Sequence, residues 1–118
     1  MLNIKDVQIS KRENSSVLLS EKQHLLRRFG AVHYDDLEEG ETLSLPTDSE
    51  ADEAWMLIRG IGILTLKDLR EDSPSYDQSD ELNMKESDST SVLIPFGVNK
   101  YFQASAYCQI IRVVSHDI

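Results

Sequence analysis

Cysteine, proline and glycine are all scarce in this chain of 118 residues, at one, three and five copies, and aromatic residues make up only 7% of it. The lone thiol, Cys108, excludes an internal disulfide and a cysteine-based metal cluster. Set within the apolar stretch YCQIIRVV, it reads as a small packing residue rather than a nucleophile. No apolar run approaches the ~20 residues that a spanning helix needs, so no membrane segment is expected. The start, MLNIKDVQISKREN, lacks the basic beginning and apolar stretch of a secretory signal, which makes the cytoplasm the expected location. Positive charge is also short. Twelve Lys and Arg face 21 Asp and Glu, for a net charge of −9 and a pI near 4.7. Such a field repels nucleic-acid backbones and anionic membranes, so neither is an expected partner. The small basic cluster Lys22, Arg27 and Arg28 reads as a solvated face or an intersubunit contact.

The length fits one domain, residues 1–118, with a single core, and the 40% apolar content is ordinary for a globular protein. WMLIRG (55–60), IGILTLKDL (61–69), SVLIPF (91–96) and YCQIIRVV (107–114) are of strand length and rich in β-branched or aromatic residues. Gly60 separates the first two, which predicts a hairpin or a bent continuous strand. FGAVHYDDL and ETLSLP supply two more strands divided by the turn EEG, and LNIKDVQI alternates as an edge or swapped strand would. LLSEKQHLLRRF reads as strands and loops, or as a helical turn through Leu19, Leu25 and Leu26. The stretch from Glu71 to Thr90 is polar and acidic and predicts a long surface excursion. The pattern as a whole is all-β, a sandwich or small barrel.

Two spacings are more specific. From Gly40 the chain reads G-ETLSL-P-T-D-SEAD-E-AWMLIR-G, and from Ser89 it reads S-TSVLI-P-F-G-VN-K-YFQ-A. These resemble the two cupin motifs, G-x5-H-x-H-x4-E-x6-G and G-x5-P-x-G-x2-H-x3-N, with Gly40, Glu53, Gly60, Pro95 and Gly97 kept. The three histidine positions hold Pro46, Asp48 and Lys100 instead. Gly40 and Gly60 suit turns that need φ > 0. Three imidazoles and a carboxylate make a site for a divalent transition metal. Here a lysine ammonium would compete with the metal, so no metal and no cofactor are expected.

The run IRG-IGILTLKDLREDSPSYDQ, followed by IPFGVNKYF, further resembles the sugar-nucleotide cupins typified by dTDP-4-dehydrorhamnose 3,5-epimerases. The resemblance covers about Trp55 to Val114 and implies a small single-domain cupin, a jelly-roll type β-barrel. It also implies a metal-free site using a histidine base paired with an aspartate, a lysine and a tyrosine acid. Those positions do not carry over. The lysine falls on Glu53, the base near Leu43, the histidine of an HGF motif on Lys100, and the tyrosine at Ile111 or Arg112. The paired aspartate falls in a C-terminal extension beyond Ile118. The same resemblance implies a homodimer, since these cupins pair through sheet edges and exchange N-terminal strands.

The candidate ligand residues are Asp48, Glu53, Lys100, Trp55 and Phe102. Glu53 and Lys100 read either as a buried ion pair replacing a lost metal or as contacts for a phosphate, a carboxylate or sugar hydroxyls. Lys100 and His33 are the candidate catalytic groups, His33 because Asp35 follows two residues later on the same strand face. His24 and His116 read as surface residues. Three functions stay open. The first is a metal-independent cupin binding a small polar ligand such as a sugar or sugar nucleotide. The second is a divergent sugar-nucleotide epimerase or isomerase, and the third is an interaction protein with a vestigial pocket.

Overall fold

A computed structural model describes residues 4–11, 29–45, 51–88 and 90–116. The helical or strand reading of LLSEKQHLLRRF and the position of Asp48 lie outside them. Nine strands follow in order: β1 (Gln8–Lys11), β2 (Phe29–Leu37), β3 (Thr42–Leu45), β4 (Ala51–Arg59), β5 (Ile61–Asp68), β6 (Ser79–Lys85), β7 (Thr90–Ile94), β8 (Val98–Ala104) and β9 (Cys108–His116), with a 3-10 turn at Glu86–Asp88. They form two antiparallel sheets, of order β1-β7-β4-β9-β2 and β3-β8-β5-β6. The fold is all-β and of cupin type, as the motif spacing implies. The two sheets face each other without closing into a continuous barrel, because their edge strands do not hydrogen-bond to one another.

Alternation along each strand divides the apolar residues between two clusters. Trp55, Leu57, Leu64, Leu66, Val92, Ile94, Val98, Phe102 and Ile110 fill the space between the sheets. Ala54, Met56 and Val113, with Ile58, Leu93 and Ile111 against them, form a second cluster on the other face of the five-stranded sheet. The Trp55 and Phe102 rings, from opposite sheets, meet with centroids 6.5 Å apart and tie the layers together.

The glycines of the motif behave as their spacing predicts. Gly40 and Gly60 have φ of 87° and 99°, a region that side chains disfavour. Gly60 lies between β4 and β5, which belong to different sheets. The chain therefore turns a corner there instead of forming a hairpin. A Cβ at Gly60 would collide with the Tyr107 carbonyl oxygen, so the corner needs both the dihedral and the missing side chain.

The acidic stretch 71–90 departs from a plain excursion. Residues 71–78 are turns, but β6 follows as an edge strand of the four-stranded sheet, paired with β5 from Ile61↔Lys85 to Lys67↔Ser79. Its Asp80 and Met84 are buried while Ser79, Glu81, Asn83 and Lys85 face outward. A strand with one wet face and a charged outer row is a common way to protect a sheet edge.

Candidate functional site

Pairing between β2, β9 and β4 sets His33, Arg112 and Trp55 side by side on one rung of the five-stranded sheet. Directly paired residues share a face, so all three project toward the other sheet. Glu53, two residues before Trp55, shares that face as well. From the opposing sheet, β8 brings Lys100. Its ammonium lies 2.7 Å from Glu53 Oε2, both side chains buried. The other carboxylate oxygen, Oε1, accepts from Trp55 Nε1 at 3.2 Å and from Arg112 Nη1 at 3.3 Å. Arg112 Nε donates to Asp35 Oδ2 at 2.7 Å, and its guanidinium lies 5.7 Å from the centre of the Trp55 ring.

Charge therefore alternates along a line Lys100, Glu53, Arg112, Asp35, from the core to the side of the sandwich where β2 and β3 are edge strands joined by the short turn 38–41. Asp35 is the most exposed member, with 23% of its side chain open. At the other end the Lys100 ammonium is fully buried, its charge met by Glu53 Oε2. Buried cations are tolerated only beside compensating charge, and here four charges sum to zero.

Glu53, Lys100, Trp55 and Phe102 lie together between the sheets. Trp55 and Phe102 are wholly buried, which makes them core residues as well as neighbours of the ion pair. His33 stands exposed on the inner side of β2, and Asp35 directs its carboxylate to Arg112. Arg112 is the member that sequence reasoning did not single out as functional. The available signal was a lone cation on the inward phase of the apolar run IIRVV. The donor set does not suit the metal of a three-histidine, one-carboxylate site, because an ammonium faces the glutamate where a ligand nitrogen would stand. Among the described residues no three His, Cys, Asp or Glu side chains converge on a common point.

The residues carrying the epimerase resemblance, Asp68, Arg70, Ser73 and Ser75, sit elsewhere and build a clamp. Arg70 Nε and Nη2 grip the two Asp68 oxygens at 2.8 and 2.9 Å, a fork geometry that strengthens the pair. Ser75 Oγ donates to the same carboxylate. Arg70 also reaches the Lys5 carbonyl at 2.8 Å and Asp6 at 3.3 Å, pinning the N-terminal segment. The Arg70 guanidinium holds the Asp68 carboxyl well below the usual carboxylate range, against a burial effect that raises it, and the Ser75 hydroxyl adds to the lowering. Asp68 in turn raises Arg70. Burial pushes the Cys108 thiol up, consistent with a packing role and unsuited to a nucleophile.

No family model matches the sequence, and no curated protein does. Solved structures do match in shape. The dTDP-4-dehydrorhamnose 3,5-epimerase of Sulfolobus tokodaii superposes with a TM-score of 0.79 at 18% identity, over 100% of this chain and 74% of that one. The Bacillus anthracis dTDP-4-dehydrorhamnose 3,5-epimerase, with TDP and PPi bound, gives 0.78 at 18% identity, over 100% and 77%. ChmJ, a 3'-monoepimerase from Streptomyces bikiniensis in complex with dTDP-quinovose, gives 0.76 at 15% identity, over 99% and 67%. The chain has the fold of the sugar-nucleotide cupins. Within that fold its interior carries the Lys100–Glu53–Arg112 charge line. No helix among the described residues is long and apolar enough to cross a membrane.

Proposed function

We propose that this chain is a metal-independent cupin that binds a small polar ligand, a sugar or sugar nucleotide, at the open side between β2 and β3. His33, Asp35 and Arg112 would meet the ligand first, with Glu53 and Lys100 behind them and Trp55 and Phe102 as the apolar wall. Asp48 joins this set on its sequence position alone. The observation that carries the reading is the charge line running from part-exposed Asp35 through Arg112 and Glu53 to the buried Lys100 ammonium. It supplies polar partners for hydroxyl or carbonyl oxygens in an otherwise apolar interior. The fold supports it too, since similar proteins hold dTDP or dTDP-sugars. Catalysis is not part of the proposal, because the epimerase base, lysine and tyrosine positions hold Leu43, Glu53 and Ile111 or Arg112. The protein would act in the cytoplasm, as a homodimer paired through its open sheet edges.

A thermal-shift screen of the metal-free protein against dTDP-sugars, free sugars, nucleotides and divalent metals tests this. At about a hundred times its dissociation constant a ligand adds about 2.7 kcal/mol of stability. A rise with a sugar or sugar nucleotide that disappears in Arg112→Lys supports the site, and a rise with metals alone overturns it. Solvent deuterium entering a 4-keto sugar nucleotide would convert the reading to a divergent epimerase.

The complete burial of Lys100, Trp55 and Phe102 favours a second reading, in which the charge line is an internal prop and the ancestral pocket is filled. Under it no ligand shifts the melting temperature, and Lys100→Met leaves stability unchanged or improved.

A further inference from the structure

A cleft of about 490 Å³ lies where the turn after β5 meets the turn before β8, over the Asp68–Arg70 clamp. Its volume is within the range of small-molecule sites. The floor is rigid. Gly97, with φ of 82°, packs directly on the Arg70 stem, where any Cβ would collide with Arg70 Cγ. The guanidinium spends Nε–H and Nη2 on Asp68, Ser73 and the Lys5 carbonyl and one Nη1–H on Asp6, so its charge is met by the Asp68 and Asp6 carboxylates.

Above this floor stands Phe96, one of the large apolar side chains left about half exposed. Its backbone N–H donates to Asp52 Oδ1 at 2.9 Å, which holds the main chain of the turn in place. Pro74 contributes a second apolar surface, and Glu71 and Asp72 stand at the rim. With the Arg70, Asp68 and Asp6 charges committed to each other, the rim keeps two carboxylates against the single ammonium of Lys5. An aromatic face beside net negative charge attracts organic cations and repels organic anions. The whole chain, at −9, adds a field of the same sign.

We infer that this cleft is a binding site for a small organic ammonium, whose hydrocarbon part lies on Phe96 and Pro74 and whose charge faces Glu71 and Asp72. The site is separate from the interior charge line and stands whether or not that line binds a sugar.

Amide NMR titrations of the full chain test it, with benzylammonium as the probe and benzyl alcohol and benzoate as its neutral and anionic counterparts. Benzylammonium is expected to shift Phe96, Gly97 and Arg70, and to bind about five-fold more weakly in Phe96→Ala. Glu71→Gln with Asp72→Asn should weaken it about three-fold, as should raising the salt to about 1 M. All three side chains are exposed, so unchanged spectra elsewhere establish that the variants fold. Benzoate binding as well as benzylammonium, indifference to Phe96→Ala, or no shift with any probe at about 10 mM, the weak end of useful affinity, each overturns the inference. Shifts at His33, Asp35 and Arg112 instead would assign the probe to the interior site.

Discussion

Lys100 and Arg112 share one carboxylate: Glu53 presents Oε2 to the lysine at 2.7 Å and Oε1 to the arginine at 3.3 Å. Removing the shared anion leaves two buried cations, while removing the lysine still leaves Glu53 with Arg112 and Trp55. Glu53→Gln should therefore cost about 3–5 kcal/mol, and Lys100→Met about 1 kcal/mol or less. Urea denaturation of the two variants decides this, and equal losses would mean that the carboxylate is not shared in solution.

Arg112 serves Asp35 through Nε and Glu53 through Nη1 at once, which needs the planar fork of a guanidinium. A lysine can satisfy one carboxylate only. Arg112→Lys is expected to lose about 1–2 kcal/mol, and adding Asp35→Asn to it should cost little more. Additive losses in this double-mutant cycle would separate Asp35 from the line.

The clamp gives a pH dependence. The Arg70 guanidinium keeps Asp68 ionised below the usual carboxylate range. The stabilisation is therefore complete above the unfolded-state value of about 3.9, and it is lost as pH falls toward the lower folded-state value. Asp68→Asn should be less stable at neutral pH and lose less on acidification from about pH 5 to 2. Chemical denaturation midpoints across that range provide the comparison, and parallel curves for the two proteins would exclude Asp68 as a source of the acid limb.

The two positive-φ turns of the first motif should respond differently to alanine. At Gly40 a Cβ meets nothing within 4 Å, so Gly40→Ala carries only dihedral strain of about 1 kcal/mol. At Gly60 the same strain is joined by collision with Tyr107 and Cys108, and the loss should exceed about 3 kcal/mol. Melting temperatures in the reverse order would contradict the corner at Gly60.

Why some of this was legible and some was not follows from what each residue faces. β2 matches FGAVHYDDL end to end, and β4, β5, β7 and β9 coincide with the apolar runs, because strands buried on one or both faces must carry that pattern. SDELNMK does not look like a strand, since β6 is an edge whose outward positions are polar and whose buried Asp80 accepts the Ile4 N–H at 2.8 Å. Glu53 and Lys100 were found through motif spacing, which fixes backbone positions whatever the side chain. Arg112 lacks such a marker, because its partners lie 59 and 77 residues away in sequence. The clamp was visible as a resemblance, but its structural character appears only when Asp68, Arg70 and Ser75 are seen bonded to each other.

The strand order also governs how the chain reaches this state. No two neighbours in the five-stranded sheet are consecutive along the chain, and in the four-stranded sheet only β5 and β6 are. β1 must find β7 across some eighty residues, as in Gln8↔Leu93. Such non-local pairing places refolding in the millisecond-to-second regime typical of β-sandwiches. The β5–β6 hairpin, closed by the Asp68–Arg70–Ser75 bonds, is the local unit that can form before the rest. The bonds of this clamp would then matter first to the rate at which the protein comes into being.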